Sequence, residues 1–232
     1  MSNHILKIGH RGAAGYAPEN TFASFDKAIE LGVDMIECDV HPCKTGELIL
    51  MHDSDVERTT NGEGKISRMS LQELKELDAG NGQEIPTLAE FFERYKNTVS
   101  LMIDIKSPGT AKQLLRLIKF HNVYDQVHIT SRNHGLLTAI RWLDKKIDLQ
   151  ISFDVYNYFI YLFVRSTFVI SAKLVDASTI NIYHKFATKK LVKKAHDFGL
   201  KVNAYPPSGE ADIIRLKEDG VDGIISNFPD KI

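Results

Sequence analysis

Cysteine is almost missing from this 232-residue chain: Cys38 and Cys43 are the whole complement. On one extended strand, five steps of about 3.3 Å put their Cα atoms roughly 16 Å apart. A disulfide needs less than about 7 Å, so two free thiols are expected, as suits a reducing compartment. A cysteine nucleophile is the competing reading; it loses because other reactive groups crowd the same strand end. An excess of one charge is missing too, since 29 Lys and Arg face 30 Asp and Glu for a formal net charge of −1. No general field therefore draws nucleic acid or an anionic membrane, although a local phosphate site stays open. Long apolar runs are absent: stretches such as Tyr158 to Val164 fall far short of the roughly 20 residues that cross a bilayer. The opening Met-Ser-Asn-His-Ile-Leu-Lys holds no signal-peptide core, so the expected location is cytoplasmic. No Pro/Gly/Ser-rich linker divides the chain, and 43% hydrophobic with 25% charged residues excludes disorder and fibrous repeats. The expectation is one domain over residues 1–232 around one core.

What is present is alternation. Strand-like runs occur at Ile8–His10, Met35–Val40, Leu48–His52, Leu101–Ile105, Val127–Thr130, Leu149–Phe153, Ser178–Ile182, Lys201–Tyr205 and Gly223–Ser226. Capped helical patterns separate most of them. Asn20 is expected to open a helix with Phe22, Phe25 and Ile29 on its apolar face and Gly32 at its end. Ser70–Glu73 and Thr87–Glu90 have capping-box spacing. Leu191, Val192, Ala195 and Phe198 form another stripe, stopped by Gly199. Gly32-Val33-Asp34-Met35-Ile36 is echoed by Gly220-Val221-Asp222-Gly223-Ile224, as the first and last units of a closed ring would be. Strands alternating with helices imply a parallel sheet under helical cover.

Nine strands are one too many for a (β/α)₈ barrel. Between Asp39 and His52 there is no room for a crossover helix, and Lys44-Thr45-Gly46 is a good turn. Leu48–His52 is thus expected to return antiparallel on the second strand. A turn centred near residue 45 sets Cys38 opposite His52 and brings His52 beside Glu37 and Asp39. The other eight strands fit an α/β (β/α)₈ TIM barrel with a small insertion after the second strand, over residues 41–86 or so.

Three features converge on one end of that sheet. Glu37 and Asp39, two apart on a strand, point the same way, opposite Ile36 and Cys38. Such carboxylates repel unless a cation lies between them, and oxygen ligands favour Mg²⁺ or Ca²⁺ over zinc; a solvated strand end is the ordinary reading. Asp104 and Lys106 repeat the geometry on the neighbouring barrel strand, where a buried salt bridge and a third ligand beside a phosphate-binding ammonium both fit. His10-Arg11-Gly12 ends the first strand, and His52-Asp53 ends the return strand. A lone histidine is usually structural, but two imidazoles flanking three carboxylates at the C-terminal ends of barrel strands mark an active site. Gly9, Gly12 and Gly15 suggest a dinucleotide loop, yet their spacing is G-x-x-G-x-x-G and Arg11 occupies the turn. No G-x-S-x-G occurs, so a serine hydrolase is excluded on that motif.

The ordered motifs His10-Arg11-Gly12, Pro18-Glu19-Asn20-Thr21, Glu37-Cys38-Asp39-Val40, His52-Asp53, Arg58-Thr59-Thr60, Asn61-Gly62, Pro86-Thr87-Leu88 and Asp104-Ile105-Lys106 resemble those of glycerophosphodiester phosphodiesterases. So does the closing Gly220-Val221-Asp222-Gly223-Ile224-Ile225. The likeness is dense over residues 8–106, thin from about 110 to 175, and returns near the C-terminus. It implies the same barrel and one divalent cation, Mg²⁺ or Ca²⁺, held by Glu37, Asp39 and Asp104. It also implies His10 and His52 as the general acid/base pair, with Arg11 and Lys106 on phosphate. The implied reaction is hydrolysis of a small-molecule glycerophosphodiester to sn-glycerol 3-phosphate and an alcohol.

Glu19 and Asn20 are expected to shape the strand-to-helix turn and orient their neighbours. The chain departs from the family at Asp104, where glutamate is usual and the carboxylate is withdrawn by roughly 1.5 Å. It departs again at Tyr205, an aromatic wall in place of tryptophan, at the stiff Pro206-Pro207 that follows, and at Cys43 and Thr45 in the turn. The aromatic-rich segment Tyr156–Phe168 reads as a covering helix with one greasy face, ahead of a lip touching an acyl chain or a membrane surface. Two other readings remain: a lysophospholipase D acting on longer lipids, and a non-catalytic ligand-binding barrel.

Overall fold

The computed structural model describes residues 4–153 and 167–232. Among the described residues nine strands form one sheet: β1 Leu6–Gly9, β2 Met35–Pro42, β3 Leu48–Leu50, β4 Ser100–Ile105, β5 Val127–Ser131, β6 Asp148–Phe153, β7 Thr179–Tyr183, β8 Lys201–Tyr205 and β9 Gly223–Ser226. Their order is β1-β9-β8-β7-β6-β5-β4-β2-β3, and a further β1–β2 pairing closes eight parallel strands into a ring. This is the expected (β/α)₈ TIM barrel. The described helices are α1 Phe22–Glu30, α2 Leu71–Lys75, α3 Leu88–Tyr95, α4 Ala111–His121, α5 His134–Leu143, α6 Thr167–Leu174, α7 Lys189–Asp197 and α8 Glu210–Asp219. None of the described helices is long and apolar enough to cross a membrane. The aromatic segment from residue 156 lies outside the described residues up to 166; Phe168 beyond it is buried on α6.

The ninth strand is placed by a mismatch in length. β1 ends at Gly9 opposite Ile36, while β2 runs on to Pro42. The overhanging backbone of β2 takes β3 as an antiparallel partner, with Val40 opposite Leu50 and Pro42 opposite Leu48. That register, continued, sets Cys38 opposite His52 as expected. The ladder carries on only as far as Met51 N–H donating to the Asp39 carbonyl at 3.0 Å. Beyond β3 the insertion packs a small apolar cluster of its own, including Ile49, Met51, Val56, Ile66, Leu74 and Ile85.

Period-two alternation sorts the strand residues into two layers. Ile36, Cys38 and Val40 of β2 and Leu101, Ile103 and Ile105 of β4 face the helices in the main core. Inside the ring, Ile8, Met35, Met102 and Ile225 form an apolar floor. Above the floor is a buried polar layer. Asn181 Nδ2 donates to Gln150 Oε1 and to Thr130 Oγ1, each at 3.1 Å, and Asn203 Nδ2 donates to Asn181 Oδ1 at 2.9 Å. Buried amides are stable only when so satisfied. Gly223 makes room for this layer: a Cβ there would lie 2.4 Å from Asn203 Oδ1.

The repeated pentapeptide has a physical meaning. Gly32 and Gly220 take left-handed φ values of +71° and +81° just past α1 and α8, ending each helix. The aspartate two residues on then latches the neighbouring strand. Asp34 Oδ2 accepts Lys7 N–H and Asp222 Oδ2 accepts Val202 N–H, both at 2.8 Å. Both capping boxes form, at Ser70 and Thr87. Two helix-end expectations are corrected. Thr21, not Asn20, caps α1, because Asn20 stands in the left-handed region (φ +58°) with its amide turned to β2. Phe198 lies beyond the end of α7 and is half exposed, so it leaves the buried stripe.

Candidate active site

The β1–α1 turn is built for close approach. Arg11 is left-handed (φ +53°), and its N–H donates to Glu37 Oε2 at 2.8 Å. Gly12 follows at φ +85°, where a Cβ would lie 2.4 Å from Ser24 Oγ, so only glycine fits. His10 Nδ1 is 2.6 Å from Asn227 Oδ1. An amide oxygen only accepts, so Nδ1 carries the hydrogen and Nε2 keeps its lone pair. Burial, aided by the Arg11 charge, lowers His10 to a pKa of about 4. It is therefore neutral near pH 7.

β2 and β4 lay the acids side by side, with Asp39 directly opposite Asp104 in the ladder. Glu37, Asp39 and Asp104 are all buried, and one carboxylate oxygen from each lies within 4.8 Å of the others. Burial, with repulsion from Asp39 and Asp104, pushes Glu37 well above the usual carboxylate range. Asp39 behaves oppositely: despite its burial, Lys106 and Arg11 hold it well below that range. Lys106 Nζ lies 2.8 Å from Asp39 Oδ1 and also donates to Asp104 Oδ2. Arg11 Nε is 3.2 Å from Asp39 Oδ2 without hydrogen-bond alignment. Asn20 closes the other side of Asp39, donating to its Oδ2 at 3.0 Å and accepting its N–H at 3.1 Å.

Asp104 Oδ1 is buried with no hydrogen-bond partner among the described residues. An orphaned buried oxygen is costly, and here it belongs to a cluster in which burial raises both Glu37 and Asp104 above the usual carboxylate range. A hard divalent cation would satisfy both, since it binds carboxylate oxygens and favours their charged forms. The residues present fit such an ion, and the shorter Asp104 side chain still reaches the cluster.

His52, just past β3, is fixed by Asp53, whose Oδ1 accepts from Nδ1 at 2.6 Å. Arg58 donates to Asp53 Oδ2, and its other two nitrogens donate to Glu19 at 2.9 and 2.7 Å. Arg11 also donates to Glu19, at 2.8 Å. One charged chain therefore ties the two histidine-bearing turns together through Glu19. His41, on the same side of β2 as Asp39, supports His52 from beneath, its Nε2 lying 3.1 Å from the His52 carbonyl.

These groups line a cavity of about 320 Å³ at the C-terminal strand ends. His10, Arg11, Glu37, Asp39, His52, Asp104, Lys106 and Tyr205 all border it. Glu19 and Asn20 do not; they sit behind it, against a small gap near His52. Sequence reasoning missed Arg132, which lines the far wall, together with the inward-facing Thr130, Ser152, Asn181 and Tyr183. The signal was available in part, because the same inward register position is polar on β5, β6 and β7. Asn227 and His41 carried no local signal, since the partner of Asn227 is 217 residues away. Tyr205 presents a wall while its hydroxyl donates to the Phe153 carbonyl at 3.1 Å.

Such a cavity gathers bases, acids and cations around a space suited to a phosphodiester. Residues 10–231 match the Glycerophosphoryl diester phosphodiesterase family. A glycerophosphodiester phosphodiesterase of Caldanaerobacter subterraneus subsp. tengcongensis is 34% identical, covering 98% of this chain and 96% of its own. The structure of an Oleispira antarctica phosphodiesterase in complex with the product sn-glycerol-3-phosphate superposes at TM-score 0.84 and 28% identity, covering 97% of this chain and 94% of that one. A Silicibacter pomeroyi structure superposes at TM-score 0.92 and 22% identity, covering 100% of this chain and 92% of that one, a likeness of fold. With fold, strand-end chemistry and full-length sequence match in agreement, the chain belongs to the glycerophosphoryl diester phosphodiesterase family.

Proposed function

We propose that the protein hydrolyses glycerophosphodiesters to sn-glycerol 3-phosphate and an alcohol, with one divalent cation, Mg²⁺ or Ca²⁺, held by Glu37, Asp39 and Asp104. The observation that carries this reading is the buried triad with its orphaned Asp104 oxygen, flanked by two imidazoles in one cavity. The cation, when bound, supplies charge neutralisation at the phosphoryl oxygens.

His10 acts as the general base. It is neutral, Asn227 fixes its tautomer, and its free Nε2 accepts the proton of the attacking hydroxyl or water. His52 acts as the general acid. In its protonated form it donates from both ring nitrogens, one hydrogen to Asp53 and the other to the departing alkoxide. Lys106 has three hydrogens, of which Asp39 and Asp104 take two, leaving one for a phosphoryl oxygen. Arg11 and Arg132 add positive charge as the phosphoryl group reorganises. Tyr205 and Tyr183 flank the glycerol or headgroup, and Glu19 and Asn20 position Arg11 and Asp39.

The test compares glycerophosphocholine with a nitrophenyl diester, whose leaving group needs no proton. Wild-type activity on glycerophosphocholine is expected to vanish with chelator and return with added Mg²⁺ or Ca²⁺. His52→Ala loses glycerophosphocholine hydrolysis but keeps much of its nitrophenyl ester activity, whereas His10→Ala loses both. Equal loss on both substrates in both variants rules out this division of labour.

A further inference from the structure

Among the described residues nine large apolar side chains are exposed, and five of them, Phe120, Trp142, Leu143, Ile170 and Leu174, lie on α4, α5 and α6. Phe120, Trp142 and Leu174 are 82%, 79% and 81% exposed, and it is their concentration on three successive helices that calls for a reason. Each of the three helices runs down toward the N-terminal ends of the strands, so these side chains gather on the rim opposite the cavity. Contacts tie that rim together. Tyr124 OH donates to Asp144 Oδ1 at 2.6 Å, joining the turn after α4 to the end of α5. Arg141 donates to the Asp176 carbonyl at 2.9 Å, joining α5 to the turn after α6.

The same rim is basic in a chain that is not. At the rim itself the exposed charges are Lys119, Lys145, Lys146 and Lys173 against Asp125 and Asp176, while Asp144 and Asp148 are taken up by Tyr124 and His128. The whole chain has a net charge of −1. A groove between α4 and α5 sets Leu115 and Leu143 beside Lys112, Arg116 and Lys119. Lys145 Nζ stands 5.3 Å from the centre of the Trp142 ring, so cation and indole share one spot. Exposed Trp, Phe and Leu beneath a fringe of lysine is the composition that inserts at a lipid headgroup boundary and holds there by charge. A second copy of this face is a poor match, because it would set one net-positive lysine fringe against another.

We propose that the rim formed by the C-terminal ends of α4, α5 and α6 docks on bilayer surfaces containing anionic phospholipid. Trp142, Phe120 and Leu174 enter the headgroup layer while Lys119, Lys145 and Lys146 lie against the phosphates. Docked this way, the barrel turns its cavity away from the bilayer. On the activity proposed above, that favours water-soluble diesters, already stripped of their acyl chains, over lipids still embedded in the membrane.

Trp142 is the sole tryptophan, so its fluorescence reports this surface directly. The experiment mixes the full chain with phosphatidylcholine vesicles carrying or lacking about a third phosphatidylglycerol, at low and high salt. Expected are co-sedimentation with the anionic vesicles alone, a blue shift of Trp142 emission in that mixture, and loss of both at high salt. The triple variant Lys119→Glu, Lys145→Glu, Lys146→Glu is expected to lower partitioning by at least about a hundredfold, at roughly fivefold per basic residue. It keeps wild-type turnover of glycerophosphocholine, which also shows that it folds; Lys145→Gln with Lys146→Gln is the milder check. Binding to neutral vesicles as strong as to anionic ones, no binding to either, or an unaffected triple variant each overturns the proposal. A blue shift without vesicles, accompanied by a doubled mass, overturns it in favour of self-association.

Discussion

Replacing Asn227 by aspartate keeps the shape of the side chain and of the His10 contact, trades the outer NH2 for a second oxygen, and places a negative charge facing Nδ1 at 2.6 Å. In the wild type, burial and the Arg11 charge hold His10 near a pKa of about 4. A unit charge pair at about 4 Å is worth roughly 4 kcal/mol at an effective dielectric of about 20. That bounds the rise at about 3 pH units, and an opposite charge at this range typically gives about 1–3. The base must be neutral to accept a proton, so the acidic limb of kcat/KM follows the His10 pKa. Raising that pKa moves the limb upward, to between about 5 and 7 in Asn227→Asp. At pH 5 the variant then works roughly two- to a hundredfold below its own plateau, while the wild type is close to its maximum. The assay is a pH profile of kcat/KM on a nitrophenyl diester at saturating cation, where His52 is not needed as an acid. Asn227→Leu separates charge from tautomer, since it strands the Nδ1 hydrogen and lowers kcat without moving the limb upward. An acidic limb that stays put in Asn227→Asp refutes the assignment of His10 as base.

Two further outcomes follow from the acid cluster and the polar layer. Asp104→Asn removes the orphaned oxygen's charge and is expected to weaken divalent-ion affinity by at least about tenfold, whereas Asp104→Glu strengthens it; calorimetric titration yielding equal affinities in both variants refutes ligation at this position. Gly223→Ala drives a methyl to within 2.4 Å of Asn203 Oδ1 and is expected to cost about 1–3 kcal/mol, a Tm loss of roughly 2–12 °C; an unchanged Tm by calorimetry shows that the polar layer yields freely.

The barrel was legible because its strands are short, regular and separated by capped helices, and because the loop between Asp39 and His52 is too short for a crossover. Glu37, Asp39, Asp104 and Lys106 were legible for the same reason: two-residue spacing fixes a face whatever the tertiary context. Helix ends were read less well. Asn20 has the chemistry of a cap, but its amide answers Asp39 across the turn, a demand that only the folded chain creates. Phe198 obeys the helical period and still points to solvent, because α7 stops at Asp197. Asn227 and His41 lay beyond reach for another reason. Nothing local distinguishes an asparagine that orients an imidazole from one in an ordinary turn, and neither register nor period links it to His10.

The overhang of β2 divides the labour of construction. One imidazole grows from the closed ring, where moving it would disturb every neighbouring stave; the other arrives on a hairpin that leans on a single stave above the hoop. The leaving-group side can thus be lengthened or recut to suit bulkier alcohols while the ring stays sealed, so diversification of this scaffold is expected to concentrate in the hairpin and the excursion behind it.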